Sequence, residues 1–133
     1  MKIKELGPCI KSLKPTLDKY GAFGGNCGKF AVALNQLLDE KGTYVAVIEE
    51  YEPEYFSHVA LKVNNKLLDG SGFVTKEKLE NYGYNPEYPD QEIDVIEGFS
   101  KNSVLKNTGS IFAPDVSINK FKKLLKEKCF IKK

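Results

Sequence analysis

The feature that most constrains the fold is a glycine-rich turn, residues 21–26, that leads directly into the most regular helical pattern of the chain. The sequence GAFGGN does not favour continuing a helix, so the chain is expected to turn there. Asn26 is a favourable N-cap and Gly42 a favourable residue just past a helix C-terminus. The sequence therefore predicts a core helix over residues 27–41. Its apolar face consists of Cys27, Phe30, Ala31, Leu34, Leu37 and Leu38.

The remaining segments alternate between helical and strand patterns, with a polar, aromatic loop at residues 49–57. Pro15 is expected to kink or divide the first helix, and Thr75 to cap a later one. The sequence predicts an α+β fold in which the helix that bears Cys27 packs on a central antiparallel sheet. The other predicted helices are residues 8–20, 75–82 and 117–128, and the predicted strands are residues 43–48, 58–63, 66–69 and 93–96.

A chain of 133 residues is one domain's worth, so residues 1–133 are expected to form a single domain with its core at about residues 20–73. The longest apolar run is far shorter than the roughly 20 residues that span a bilayer. The N-terminus carries lysines where a signal peptide would be apolar. We therefore expect no membrane span and a cytoplasmic location.

The charge balance is mild, with 20 basic residues against 18 acidic ones, and every basic residue is lysine. Arginine is the side chain that best recognises guanine edges and phosphates, so its absence argues against nucleic acid as a partner. Lysines nevertheless crowd the C-terminal segment, where they either bind an anionic partner or remain in water while the apolar side of the helix docks. We favour docking. These lysines are Lys120, Lys122, Lys123, Lys126, Lys128, Lys132 and Lys133.

Three cysteines, an odd number without an export signal, make a disulfide framework the weaker interpretation. Cys9 and Cys129 fall on predicted helices and are interpreted as packed side chains. With one histidine and no closely spaced ligand pair, the sequence predicts no metal site.

Cys27 lies at the first turn of the predicted core helix. A thiol at a helix N-terminus loses its proton more readily than a free thiol, which favours a nucleophile. The helix amides there are suited to stabilising an oxyanion. The alternative is a small buried residue that begins a helix, since free cysteine is commonly buried.

The predicted hairpin brings a carboxylate to the single histidine. If Asn64 and Asn65 form a two-residue turn, Val63 pairs with Lys66 and, by alternation, His58 and Asp69 project to the same face. Asp69 is then diagonal to His58 and can accept the imidazole N–H, the orienting role in triad chemistry. Alternatively, Asp69 is an ordinary turn residue, and a three-residue turn would place it on the opposite face.

Three segments in order, GGNCGKFAVALNQLL, SHVALKV and NKLLDGSG, resemble the core of transglutaminase-like and papain-like cysteine enzymes. The order Cys, His, Asp is that of the transglutaminase-like branch and of the arylamine N-acetyltransferases. The resemblance covers residues 20–73. It implies Cys27 as nucleophile, His58 as general base and acid, and Asp69 as orienting residue, with no cofactor. No glutamine precedes Cys27 as in papain-like peptidases, so the oxyanion candidates are Asn26 and the backbone N–H of Cys27.

Aromatic residues on either side of the candidate site are possible substrate contacts. Tyr51, Tyr55 and Phe56 precede His58 among glutamates that favour a cationic or amine-bearing substrate, unless this is an ordinary solvated loop. Tyr82, Tyr84 and Tyr88 form either a second rim or a cover over the core, and we favour the cover.

The sequence thus predicts a thiol-dependent acyl-transfer enzyme, a peptidase, deamidase or transglutaminase-like protein acting on a peptide or protein amide. The alternative is a catalytically inactive binding or accessory module on the same fold, with a partner bound through the lysine-rich C-terminus.

Overall fold

An antiparallel sheet organises the computed structural model, which describes residues 2–110 and 112–130. Within those residues the sheet has five strands in the order β4-β3-β2-β1-β5. The predicted α+β class with a central antiparallel sheet is confirmed. The strands are β1 (Thr43–Glu49), β2 (Glu52–Val63), β3 (Lys66–Asp69), β4 (Gly72–Val74) and β5 (Ile93–Phe99). The helices are α1 (Ile3–Ser12), α2 (Lys14–Lys19), α3 (Cys27–Leu37), α4 (Lys76–Tyr82), α5 (Lys101–Lys106) and α6 (Ile118–Cys129).

The hairpin between β2 and β3 has the predicted two-residue turn. Asn64 and Asn65 adopt φ angles of 50° and 63°, the left-handed conformation that such a turn requires and that asparagine tolerates. Val63 pairs with Lys66, and the register continues to Leu61 opposite Leu68. This register places the end of β3 next to the middle of β2.

Side chains of β2 alternate between two layers of core. Val59 and Leu61 pack in the layer that contains α3, whereas Ala60 packs with Leu79 of α4 on the opposite face. The helix that bears Cys27 therefore packs on the sheet, as predicted.

Helix α3 ends at Leu37, four residues earlier than predicted, because Asp39 and Glu40 adopt left-handed φ angles of 56° and 58°. Gly42 does not cap the helix directly. Its N–H donates to Oδ1 of Asn35 at 2.8 Å, and a side-chain carbon there would lie 2.7 Å from Leu61.

The segment predicted as a loop before His58 is the first half of β2. Val47 pairs with His58 but Ile48 pairs with Phe56, so Ser57 is an extra residue in the ladder. This irregularity reverses the alternation, and Phe56 enters the α3 layer with Val59.

The terminal helices are joined covalently, which corrects the interpretation of Cys9 and Cys129 as separate packed residues. The two form a disulfide with their Cα atoms 5.8 Å apart, because α1 and α6 pack against each other. Pro15 divides the first helical segment, as expected, with the break at Leu13.

Helix α6 docks through its predicted apolar face, since Phe121, Leu125 and Cys129 are buried. Lys132 and Lys133 of the lysine-rich segment lie outside the described residues. Among residues 2–110 and 112–130, no helix has the length and apolar character needed to cross a membrane.

Candidate active site

His58 and Asp69 form a buried, hydrogen-bonded pair. Nε2 of His58 lies 2.8 Å from Oδ2 of Asp69, and the two residues are 2% and 1% exposed. The hairpin register explains the contact, because Leu61 opposite Leu68 places Asp69 next to Ala60 and diagonal to His58.

The other oxygen of this carboxylate is also occupied. Oδ1 of Asp69 accepts the backbone N–H of Ser71 at 2.8 Å. A local turn of this kind is typical of aspartate, so the two roles weighed for Asp69, turn residue and histidine partner, occur together. Both carboxylate oxygens are held, which fixes the orientation of the group that faces His58.

The side chain of Cys27 lies close to the same imidazole ring, near enough to raise the pKa of His58. Because Nε2 is hydrogen-bonded to Asp69, Nδ1 is the ring nitrogen left for another partner. Cys27 is 3% exposed and is the free cysteine of the described residues. Of the three residues predicted from the sequence, the structure places His58 and Asp69 in contact and Cys27 close to the same imidazole.

This contact occurs at an open end of the sheet. His58 projects to the face of the sheet that α4 covers, whereas α3 packs on the opposite face. Strand β3 pairs with β2 over residues 61–63 and does not extend to residue 58. The loop that precedes α3 passes around this end, where a side-chain carbon on Gly70 would lie 3.1 Å from Ala22. Ala22 and Phe23, shortly before α3, therefore lie close to the β3–β4 turn and to His58 respectively.

The electrostatic environment favours a protonated imidazole. Burial lowers the pKa of His58, but the hydrogen bonds and negative charges of Asp69 and Cys27 outweigh it and raise the pKa to about 9. The ring therefore carries a positive charge at neutral pH, between a carboxylate and a sulfur.

The two predicted oxyanion donors are already engaged. Both contacts of the Asn26 amide nitrogen are backbone carbonyls, those of Tyr20 and Pro114 at 2.8 Å each, and the side chain does not cap α3. The N–H of Cys27 donates to the carbonyl of Gly24 at 3.2 Å. Asn26 is buried, and its side chain links the backbone at Tyr20 and at Pro114 to the start of α3. This argues against its predicted role as an oxyanion donor.

The three predicted rim residues have different environments. Phe56 is 3% exposed and packs on Phe99, so it belongs to the core and not to a rim. Tyr55 is half-exposed, and its hydroxyl donates to the carbonyl of Gly109 at 2.9 Å. Burial raises the pKa of Tyr55, and the nearby negative charge of Cys27 raises it further. Tyr51 is exposed and contacts Tyr88.

A cavity of about 230 Å³ lies beside the start of α3. It borders Gly25 and Asn26, directly before the nucleophile candidate, and Thr108 and Asp115 on the other side. Space for a small group therefore exists next to the residue that precedes Cys27.

Two aromatic rings lie next to His58: that of Tyr82, which was expected as a rim or cover residue, and that of Phe23, which sequence reasoning missed. The ring of Phe23 has its centroid 5.0 Å from that of the imidazole, and the ring of Tyr82 is 5.1 Å away. Of the tyrosines expected to cover the core, only Tyr82 does so, since Tyr84 and Tyr88 are largely exposed. Phe23 lies in the glycine-rich turn, and no local signal in the sequence relates it to residue 58.

Metal ligation is not indicated by the described residues, which contain no group of three or more His, Cys, Asp or Glu side chains suited to hold an ion. Comparisons with protein-family models, with curated proteins and with solved structures find no match to this chain.

Proposed function

We propose that this protein is a thiol-dependent acyl-transfer enzyme acting on an amide or ester, with Cys27 as nucleophile, His58 as general acid and base, and Asp69 as orienting residue. The proposal includes a papain-like or transglutaminase-like core, as the order of the three residues suggested. One observation supports the proposal most: the single imidazole is hydrogen-bonded to a carboxylate at Nε2 and lies close to the side chain of Cys27.

The reaction follows from these contacts. The sulfur of Cys27, as thiolate, attacks the carbonyl carbon, a C–S bond forms, and the carbonyl oxygen becomes an oxyanion at the partly positive N-terminus of α3. His58 donates its proton to the leaving nitrogen or oxygen as that bond breaks, which leaves a thioester. Water or an amine then attacks the thioester, His58 accepts its proton, and the C–S bond breaks to release the product and the thiolate.

Two further observations support Cys27 as the nucleophile. Cys9 and Cys129 are joined to each other, so Cys27 is the thiol left for chemistry among the described residues. Tyr55 lies near Cys27 at the surface, where it is suited to contact a substrate. The triad itself does not determine whether water or an amine accepts the acyl group. We expect the shape of the surface around Tyr55 to determine it.

Alkylation of the native protein by iodoacetamide, without reductant, tests the proposal. A thiolate paired with a protonated imidazole reacts at neutral pH, so we expect a single alkylated residue, Cys27, and a rate at least about tenfold lower in His58→Ala. Cys27→Ala controls for labelling elsewhere. Incubation with activated esters should give a thioester mass on Cys27 in the wild type. A rate that His58→Ala leaves unchanged would contradict the proposal.

A second candidate function, a catalytically inactive binding module, is favoured by the burial of the thiol, which is only 3% exposed. Such a module predicts slow alkylation of Cys27 in the folded protein. It also predicts that the wild type and Cys27→Ala retain the same binding partner.

A further inference from the structure

Three aromatic rings contact one another on the α4 side of the candidate triad. Besides its contacts with His58, Tyr82 lies edge to face with Phe23, with centroids 5.0 Å apart. The rings of Tyr82 and His58 are inclined at 76°. His58 is fully buried and Tyr82 is half-buried at the end of α4, so the tyrosine ring lies on the outer side of the imidazole.

The phenol end of Tyr82 approaches the turn that holds the carboxylate. Burial raises the pKa of Tyr82, the charge of Asp69 raises it further, and a hydrogen bond with the Ser71 side chain opposes both. The N–H of the same Ser71 donates to Oδ1 of Asp69. Tyr82 therefore contacts His58 through its ring and lies near the turn that holds Asp69.

We propose that Tyr82 is a positioning residue of the candidate site, which covers the hydrogen bond between His58 and Asp69 and keeps water from it. A hydrogen bond shielded from water is stronger and holds its groups in a narrower range of orientations. Tyr82 does not touch the reacting atoms in this role. It keeps the imidazole oriented so that its other nitrogen faces Cys27. The importance of Tyr82 for catalysis rests on the proposed function. The proposal that Tyr82 covers the His58–Asp69 hydrogen bond does not.

The experiment measures the exchange with water of the imidazole N–H that Asp69 accepts. His58 is the only histidine, so ¹⁵N-histidine labelling gives one imidazole to follow by NMR. Tyr82→Met keeps apolar bulk but removes the ring, Tyr82→Phe keeps the ring, and Tyr84→Met is the matched control at a tyrosine that is 61% exposed. Alkylation of Cys27 is measured on the same four proteins.

We expect the N–H to exchange slowly in the wild type and at least about tenfold faster in Tyr82→Met, with slow exchange restored in Tyr82→Phe and unchanged in Tyr84→Met. Alkylation should slow by about tenfold in Tyr82→Met, because a misoriented base is a poor partner. Exchange at the wild-type rate in a folded Tyr82→Met protein would overturn the proposal.

If Tyr82→Met does not fold, the exchange rate of the imidazole N–H in the wild type tests the proposal instead. An N–H that exchanges as fast as that of free imidazole is uncovered, which overturns the proposal, and a slow N–H supports it. Failure of the proposed function is distinguishable from this result. It would appear as an unreactive Cys27 in the wild type, whatever the exchange rate of the imidazole N–H.

Discussion

At the scale of single residues, the candidate site depends on what surrounds His58. Burial alone would keep the ring neutral, and its pKa is raised because a carboxylate and a thiol face it. Residue types and spacing were enough to predict Cys27, His58 and Asp69 as a group. They were not enough to predict that Phe23 and Tyr82 contact His58, because these contacts depend on how a loop and a helix fold back over the sheet.

The raised pKa of His58 has a consequence for stability. The pKa is about 9 in the folded protein and 6.5 for an ordinary histidine, so the folded state binds the proton more tightly. The resulting stabilisation is complete below about pH 6.5 and is lost as the pH rises through about 9. We expect the free energy of unfolding to fall by up to about 3 kcal/mol over this range.

Urea unfolding of the wild type and of His58→Gln between pH 6 and pH 10 measures this loss. The difference between the two proteins isolates His58 from other groups that titrate at high pH. Parallel profiles for the two proteins would show that the protonation of His58 is not coupled to folding.

At the scale of elements, local signals predicted the parts that local chemistry determines. Two asparagines that tolerate positive φ set the β2–β3 register, and Thr75 caps α4 through a hydrogen bond with Lys78 N–H. The irregularity at Ser57 left no such signal, because it depends on how β2 meets β1. The strand structure of the polar residues before His58 also depends on how β2 meets β1. They were therefore predicted as a loop, although they pair as a strand.

The turn between β3 and β4 gives a prediction at this scale. Gly72 has a φ of +95°, and a side-chain carbon there would lie 2.5 Å from the carbonyl oxygen of Gly7. Gly98 has a similar φ of +101° with open space around it. We expect Gly98→Ala to destabilise the protein by about 1 kcal/mol, from backbone strain, and Gly72→Ala by about 2–4 kcal/mol, because a backbone clash is added.

Thermal or urea unfolding of the two variants provides the comparison, with each glycine serving as the control for the other. Equal losses of stability would mean that α1 does not pack closely on β4.

At the scale of the whole molecule, the ends of the described chain are held together. The disulfide between Cys9 and Cys129 closes a loop across a sequence separation of 120 residues. Counting cysteines gave the opposite expectation, because an odd number was taken as evidence against pairing. The count cannot show that two cysteines bond while the third remains free, since this depends on the packing of α1 against α6.

Reduction of this disulfide should destabilise the protein by about 4 kcal/mol, because the bond restricts the unfolded chain over a long loop. Urea unfolding with and without dithiothreitol measures the loss. The double variant Cys9→Ser, Cys129→Ser should show the lower stability in both conditions. A wild-type stability that does not respond to complete reduction, checked by thiol counting, would contradict the structural role of the bond.

NMR titration of the single imidazole most directly tests the coupling of Cys27, His58 and Asp69. We expect His58 to titrate at about pH 9 in the wild type and at a lower pH in Cys27→Ala, because the side chain of Cys27 raises the pKa of His58. Asp69→Asn should lower the pKa as well. A wild-type titration near 6.5 that neither substitution changes would contradict the triad.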